Sequence, residues 1–337
     1  MADKHFDIAI IGSGLGGLLC GAILSKEGKR VCIVEKNEQI GGCLQTFKRD
    51  GCVYDTGVHY IGGLEPGKNL YAIFNYLGIA ERLQVSRMEE DGFDVVLFGN
   101  DTQAYHYGMG YENFARIMCK YFPEEEEAIK KYCADMQAIC SQFPLYNLRS
   151  FDSYSDFSVF EKSAAHYFKE LTTNLKLQQV LAGTNILYAG VAEKTPLYIH
   201  ALVVNSYIES AVKCKRGGDQ IAKLLARVVK ANGGVILRKT KVEKIHVTQG
   251  VADYLELEGG EKIIAATFIS NIHPAQTLAL AETDVIRQVY KNRISSLENS
   301  VASFTLYAKL KPQAVAYQNR NYHYFETADV WNATQHS

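Results

Sequence analysis

The chain has 337 residues, enough for two domains of ordinary size. Its 36 basic and 37 acidic side chains leave a formal charge of -1, so no global field draws it to nucleic acid, and polynucleotide partners are not expected. Hydrophobic residues at 47% with only 6 prolines describe a packed protein, not a disordered one.

Residues 7–11 read as a short buried strand. A glycine-rich turn follows, and Leu15, Leu18, Leu19, Ala22 and Ile23 then recur at helical spacing. Gly28 stands where a helix C-terminal cap belongs, and residues 30–35 (RVCIVE) form a second buried strand. These elements make one βαβ unit. The apolar stretch 8–24 holds five glycines and lacks a basic n-region and a small-residue cleavage site, so it belongs to the fold and is not a leader or a membrane span.

From about residue 69 to 207 the texture turns to helices of mixed polarity, including 111–121 and 123–141, which reads as an inserted helical domain. The acidic run 124–127 after Pro123 suits a first helical turn, where carboxylates face the positive end of the dipole. A second α/β stretch opens at Gly217-Gly218-Asp219. Ile221, Leu224, Leu225, Val228 and Val229 mark its helix face, and Gly233-Gly234 ends it. Strands are expected over 235–237, 242–247, 254–257 and 263–269, and 301–310 alternates as a half-buried strand.

Gly12-Ser13-Gly14-Leu15-Gly16-Gly17 fits GxGxxG between strand and helix, and Glu35 closes the second strand about 20 residues on, where a dinucleotide fold uses an acid. Gly12 permits the tight bend, Gly14 a close approach of pyrophosphate, and Gly17 close packing of helix on strand. The helix N-terminus offers unpaired N–H groups to phosphate, and Glu35 is suited to ribose hydroxyls and repels a 2′-phosphate. This cradle serves FAD and NAD alike.

Beyond it come Gly41-Gly42, Asp50-Gly51, Tyr54-Asp55-Thr56-Gly57 and His59. Here ExxxxIGGCLQTF and DGCVYDTGVHYIGG resemble the second FAD signature and the flavin-side loop of the phytoene desaturase, carotenoid isomerase and retinol saturase flavoenzymes. Gly183-Thr184, Tyr188, Gly190-Val191, Pro196, His200-Ala201-Leu202, Val204-Asn205 and Tyr207, leading to Arg216-Gly217-Gly218, are similar to that family's central region. The match runs in order from about Asp7 to Asn271. It departs at Lys215, where the family commonly has proline.

The resemblance implies an α/β fold, with a discontinuous Rossmann-type FAD domain in residues 1–68 and 214–281. An inserted α+β substrate domain occupies 69–213 and 282–337. It implies FAD along Gly12, Gly14, Leu15, Gly16, Gly17, Glu35, Lys36, Gly41, Gly42, Thr46, Asp55, Gly57 and Val242. His59 and Arg216 are the flavin-side candidates, and NAD(P)H is a candidate electron donor. The implied reaction is hydride exchange through flavin N5 with a carbon–carbon double bond of an apolar polyene, saturase-like reduction first. Such a substrate implies peripheral contact with a membrane. Relatives continue past Trp331 to a last glycine-rich segment that returns to the flavin. The expectation is therefore a C-terminally shortened chain that holds FAD mainly by its AMP and pyrophosphate half.

Three rival readings stay open: an inactive remnant, a non-redox lipid carrier of the same fold, as in the Rab dissociation inhibitors, and an ordinary NAD dehydrogenase. The Gly41-Gly42 pair and the DTGVHY loop weigh against the last. His200, Tyr188 and Tyr207 suit helix packing better than a cavity lining. Eight cysteines without a CxxC pair suit a reducing, cytoplasmic compartment. No histidine or cysteine spacing matches a metal site.

Overall fold

The buried aliphatic run and the glycine turn fold into a parallel βαβ unit. In the computed structural model, which describes residues 4–150, 160–281 and 283–333, this unit is β1 (Lys4–Ile11), α1 (Leu15–Lys26) and β2 (Val31–Val34). A hairpin of β3 (Thr46–Arg49) and β4 (Cys52–Asp55) follows, then β5 (Ile61–Gly62), α2 (Asn69–Tyr76), β6 (Val85–Arg87), β7 (Asp94–Phe98) and β8 (Tyr105–Tyr107). Next come α3 (Tyr111–Tyr121), α4 (Glu126–Ser141), α5 (Ala164–Leu171), α6 (Leu175–Leu181), α7 (Leu197–Glu209) and β9 (Ala211–Cys214). The chain continues through α8 (Asp219–Ala231), β10 (Val235–Leu237), β11 (Val242–Thr248), β12 (Val251–Leu257) and β13 (Lys262–Ser270). The last elements are α9 (Pro274–Leu280), α10 (Gln288–Ser295) and β14 (Asn321–Phe325).

The chain divides into two units. The first comprises residues 1–59, 74–84 and 214–299, the second residues 60–73, 85–213 and 300–337. The expected domain limits at Met1, Glu282 and Ser337 lie outside the described residues.

Unit 1 is built on a six-stranded sheet in the order β10-β2-β1-β13-β12-β11. The four strands from β10 to β13 run parallel, while β12 pairs antiparallel with both β13 and β11. All four residues of β2 are buried, the pattern of a parallel strand in the interior of its sheet. On α8, Ile221, Leu224, Leu225 and Val229 are buried, and the helix packs beside α1. A central first strand flanked by parallel neighbours and crossover helices is a Rossmann-like arrangement, the α/β class expected from the sequence.

Unit 2 is less helical than its composition suggests. The parallel pair β14 and β7, with antiparallel β8, forms a three-stranded sheet, and β5, β9 and β6 form another. The helices α3, α4, α5 and α7 pack around an aromatic core that includes Phe114, Tyr132, Phe168 and Trp331. Residues 94–98 were hidden as a strand because their parallel partner, β14, lies near the other end of the sequence.

One expectation is overturned. Residues 301–310 have no regular secondary structure, and Phe304 and Leu306 are 92% and 80% exposed. An alternating pattern forms a strand only where a neighbouring edge supplies hydrogen bonds and a covering layer buries the apolar face, and no strand among the described residues pairs with this segment.

Candidate functional site

The turn from β1 to α1 is tight because its glycines permit backbone contacts that a side chain would block. Gly12 has φ +93°, in the left-handed region, and its N–H donates to Val34 O at 2.8 Å. A Cβ on Gly17 would run into the Gly12 carbonyl oxygen, so the first turn of α1 lies directly on the loop. No side chain caps α1, which leaves its amino end to serve an anion.

Glu35 directly follows β2, with its side chain turned to that loop. One carboxylate oxygen accepts from Ser13 N at 3.0 Å and from Ser13 Oγ at 2.6 Å, and the other accepts from Asn37 N at 2.8 Å. With 8% exposure and three donors, the carboxylate is held in one orientation beside the glycine turn.

The second glycine pair seals the floor. Gly41 N donates to Ser13 O at 2.9 Å and pairs with Gly14 in a short parallel bridge, while Gly42 lies so close that a Cβ would stand 3.2 Å from Gly14 Cα. Around these groups lies a cleft of about 500 Å3, within the usual range for a small-molecule site. Gly12, Gly14, Glu35, Lys36, Gly42 and Val242 all line it, with Ile11, Val34 and Leu280 supplying apolar wall.

The remaining candidates are dispersed. Gly41 is buried under the floor, Leu15, Gly16 and Gly17 belong to the first turn of α1, and none of the four lines the cleft. Asp55 accepts from Gly218 N at 2.7 Å and so ties the β3–β4 hairpin to the loop before α8. A Cβ on Gly217 would come within 2.6 Å of Thr46 Cγ2. Thr46 and Arg216 line a second, separate cleft. Gly57 packs against Cys43, and exposed His59 has its Nδ1 3.3 Å from Gly57 O. Half-buried Cys214, beside Asp55 and Asp219, has its thiol pushed up to about 12, first by desolvation and then by those carboxylates.

Sequence reasoning missed Asn271. It follows β13, its N–H donates to Ile11 O at 2.8 Å, and its amide side chain overlies the glycine turn, with Nδ2 3.1 Å from where a Gly14 Cβ would stand. The available signal was its position in the turn after a strand that pairs with β1, but that pairing is visible only in the fold.

In unit 2 His200 is buried, and the half-buried Tyr188 and Tyr207 pack against the core. His200 has no exposed surface, its Nε2 lies 2.9 Å from Tyr132 OH and its Nδ1 2.8 Å from Tyr188 OH. Burial depresses the imidazole to about 3, so it is neutral: one ring nitrogen donates and the other accepts. Tyr207 stacks on Tyr60 at 4.3 Å between ring centres.

A sequence profile described as an NAD(P)-binding Rossmann-like domain matches residues 10–77. The all-trans-retinol 13,14-reductase of Rattus norvegicus is 28% identical over 96% of this chain and 57% of its own. Prolycopene isomerase 1 of an Oncidium hybrid cultivar is 27% identical over 86% of this chain and 52% of its own. The chain thus spans about half the length of the curated relatives it matches. Among solved structures, an oxidoreductase from Methanosarcina mazei superposes with a TM-score of 0.64 at 18% identity, over 86% of this chain and 65% of that one, a likeness of fold. From motif, sheet order and relatives together, the chain fits the retinol saturase and carotenoid isomerase family and has a Rossmann-like dinucleotide-binding fold.

Proposed function

We propose that this chain holds FAD and belongs to an oxidoreductase acting on carbon–carbon double bonds of an apolar polyene of retinoid or carotenoid type. The observation that carries the reading is the oriented Glu35 carboxylate beside an uncapped helix end, in a cleft whose glycine floor lets a diphosphate reach backbone. Glu35 takes the ribose hydroxyls, the α1 amino end and the Asn271 amide face the phosphates, and Val242 and Leu280 border the adenine. Unit 1 is then the dinucleotide domain and unit 2 the substrate domain, with His59 retained as the flavin-side candidate; Arg216 lines the separate second cleft.

The cofactor supplies hydride exchange when bound. The chain's own residues orient the adenosine half and fix it by charge-assisted hydrogen bonds. NAD(P)H is the proposed source of electrons. An apolar substrate favours action at a membrane surface, and among the described residues no helix is long and apolar enough to cross one.

The test is chromophore release. Denatured protein is expected to yield FAD, and the native protein to bleach with a reductant and recover in air while converting a retinoid or carotenoid. Release of NAD would overturn the cofactor assignment. A flavin that bleaches without any polyene turnover would support the inactive reading, and bound lipid without flavin a carrier.

A further inference from the structure

Unit 1 carries a second concavity, of about 510 Å3, that shares no lining residue with the glycine-floored cleft. Its walls are the β3–β4 hairpin, the segment around Arg82 and Gln84, the loop before α8, and the outer face of α8 itself. Six cationic side chains border it: Lys48, Arg82, Lys215, Arg216, Lys223 and Arg227. Asp219 is the one carboxylate in that lining, and Lys223 already engages it at 2.5 Å. Among the described residues the other five cations form no ion pair.

That local excess stands out in a chain whose net charge is -1. Like charges gathered around one concavity repel unless an anion comes between them. The loop that carries two of them is held firmly. Gln220 Nε2 donates to Lys215 O at 3.0 Å and to Gly217 O at 3.1 Å, and its Oε1 accepts from Gln84 N at 2.7 Å. Lys215 N donates to Gln84 O at 2.7 Å. Between these anchors Arg216 sits at φ +68°, a left-handed conformation that costs a residue with a Cβ and persists only where its surroundings impose it.

We infer that this cleft binds a phosphorylated anion, through a phosphomonoester or diphosphate group, at a site separate from the dinucleotide cleft. Guanidinium forks and lysine point charges match the oxygens of a phosphate dianion, and five unpaired cations exceed what a single carboxylate would need. The size of the cleft suits a small molecule or a headgroup and not a polymer. Two sources carry that chemistry: a soluble phosphorylated compound, such as a phosphorylated nucleotide donor, and a phospholipid headgroup. Phe47 and Val53, more than a third exposed on the same hairpin, would meet the apolar layer beneath a headgroup.

The test uses the full chain saturated with FAD. Calorimetric titration with pyrophosphate and with 2′,5′-ADP probes the soluble source, and co-sedimentation with phosphatidylcholine vesicles, with and without phosphatidic acid, probes the lipid source. The comparison is the Lys48→Glu/Arg227→Glu double variant, whose changes lie outside the glycine-floored cleft, backed by Arg227→Gln alone in case the double variant misfolds. Binding of either soluble probe, or of phosphatidic acid vesicles over neutral ones, weakened at least about tenfold in the double variant and also weakened in Arg227→Gln, with FAD affinity unchanged, is the expected result. Binding of neither source, binding undiminished by the substitutions, or binding blocked by saturating FAD would each overturn the inference. Failure of the chain to hold FAD would sink only the reading of the first cleft, because the anion titrations can be run without it.

Discussion

Three hydrogen-bond donors hold the Glu35 carboxylate before any ligand arrives, so a ribose meets a group that need not reorient. Replacing it with glutamine turns charge-assisted bonds into neutral ones and sets an NH2 group against donors that need an acceptor. Glu35→Gln is expected to weaken adenine-dinucleotide binding by about tenfold, read by titrating stripped protein with FAD. Equal affinity in the two proteins would show that Glu35 does not grip the sugar. His200 makes a different residue-scale prediction. Its folded pKa, about 3, lies below the ordinary 6.5, so its stabilising contribution is complete above pH 6.5 and is lost as pH falls toward 3. The loss runs at no more than about 1.4 kcal/mol per pH unit. His200→Phe should remove that slope from the urea-unfolding profile and cost about 1–3 kcal/mol at pH 7, because the buried Tyr132 hydroxyl loses its partner. An unchanged acid limb would mean that His200 is already protonated in the fold.

At the scale of elements, helix α6 starts on a cap built from neighbouring residues: the Asn174 side chain accepts from Leu177 N at 3.1 Å, and Asn174 N donates to Thr172 Oγ1 at 3.0 Å. For so short a helix the cap is a large part of what starts it, so Asn174→Ala should destabilise unit 2 by about 1 kcal/mol in chemical denaturation. A change below the error of the measurement would mean that packing of Leu177 and Val180 sets the helix without its cap. The βαβ start was legible in the sequence, since Leu18 and Ala22 face the core one turn apart and β2 is buried throughout. Residues 301–310 were misread because alternation describes a ribbon with one apolar face and says nothing of whether an edge waits for it.

For the whole molecule, no two of the eight cysteines are joined in a disulfide, and their reactivity should follow burial. The Cys133 and Cys140 thiols are pushed up to about 12, chiefly by burial, while Cys43 is exposed. Alkylation of native protein followed by peptide mass spectrometry should label Cys43 first and reach Cys133 and Cys140 only on unfolding. Early labelling of either buried thiol would contradict the packing of unit 2.

Glycine spacing, the aliphatic runs and an acid at the end of the second strand determined the nucleotide-binding start of the chain, because the energies involved are local: a turn that excludes Cβ, a helix face, a buried strand. Tertiary structure decided what lies beside that start. Pairing β13 with β1 brings Asn271 onto the glycine turn, pairing β14 with β7 makes a sheet in unit 2, and the approach of α8 to the β3–β4 hairpin gathers cations from four stretches of sequence around one cleft. Such partners are chosen by the burial of whole faces between distant segments, and no window of sequence contains both sides of that contact.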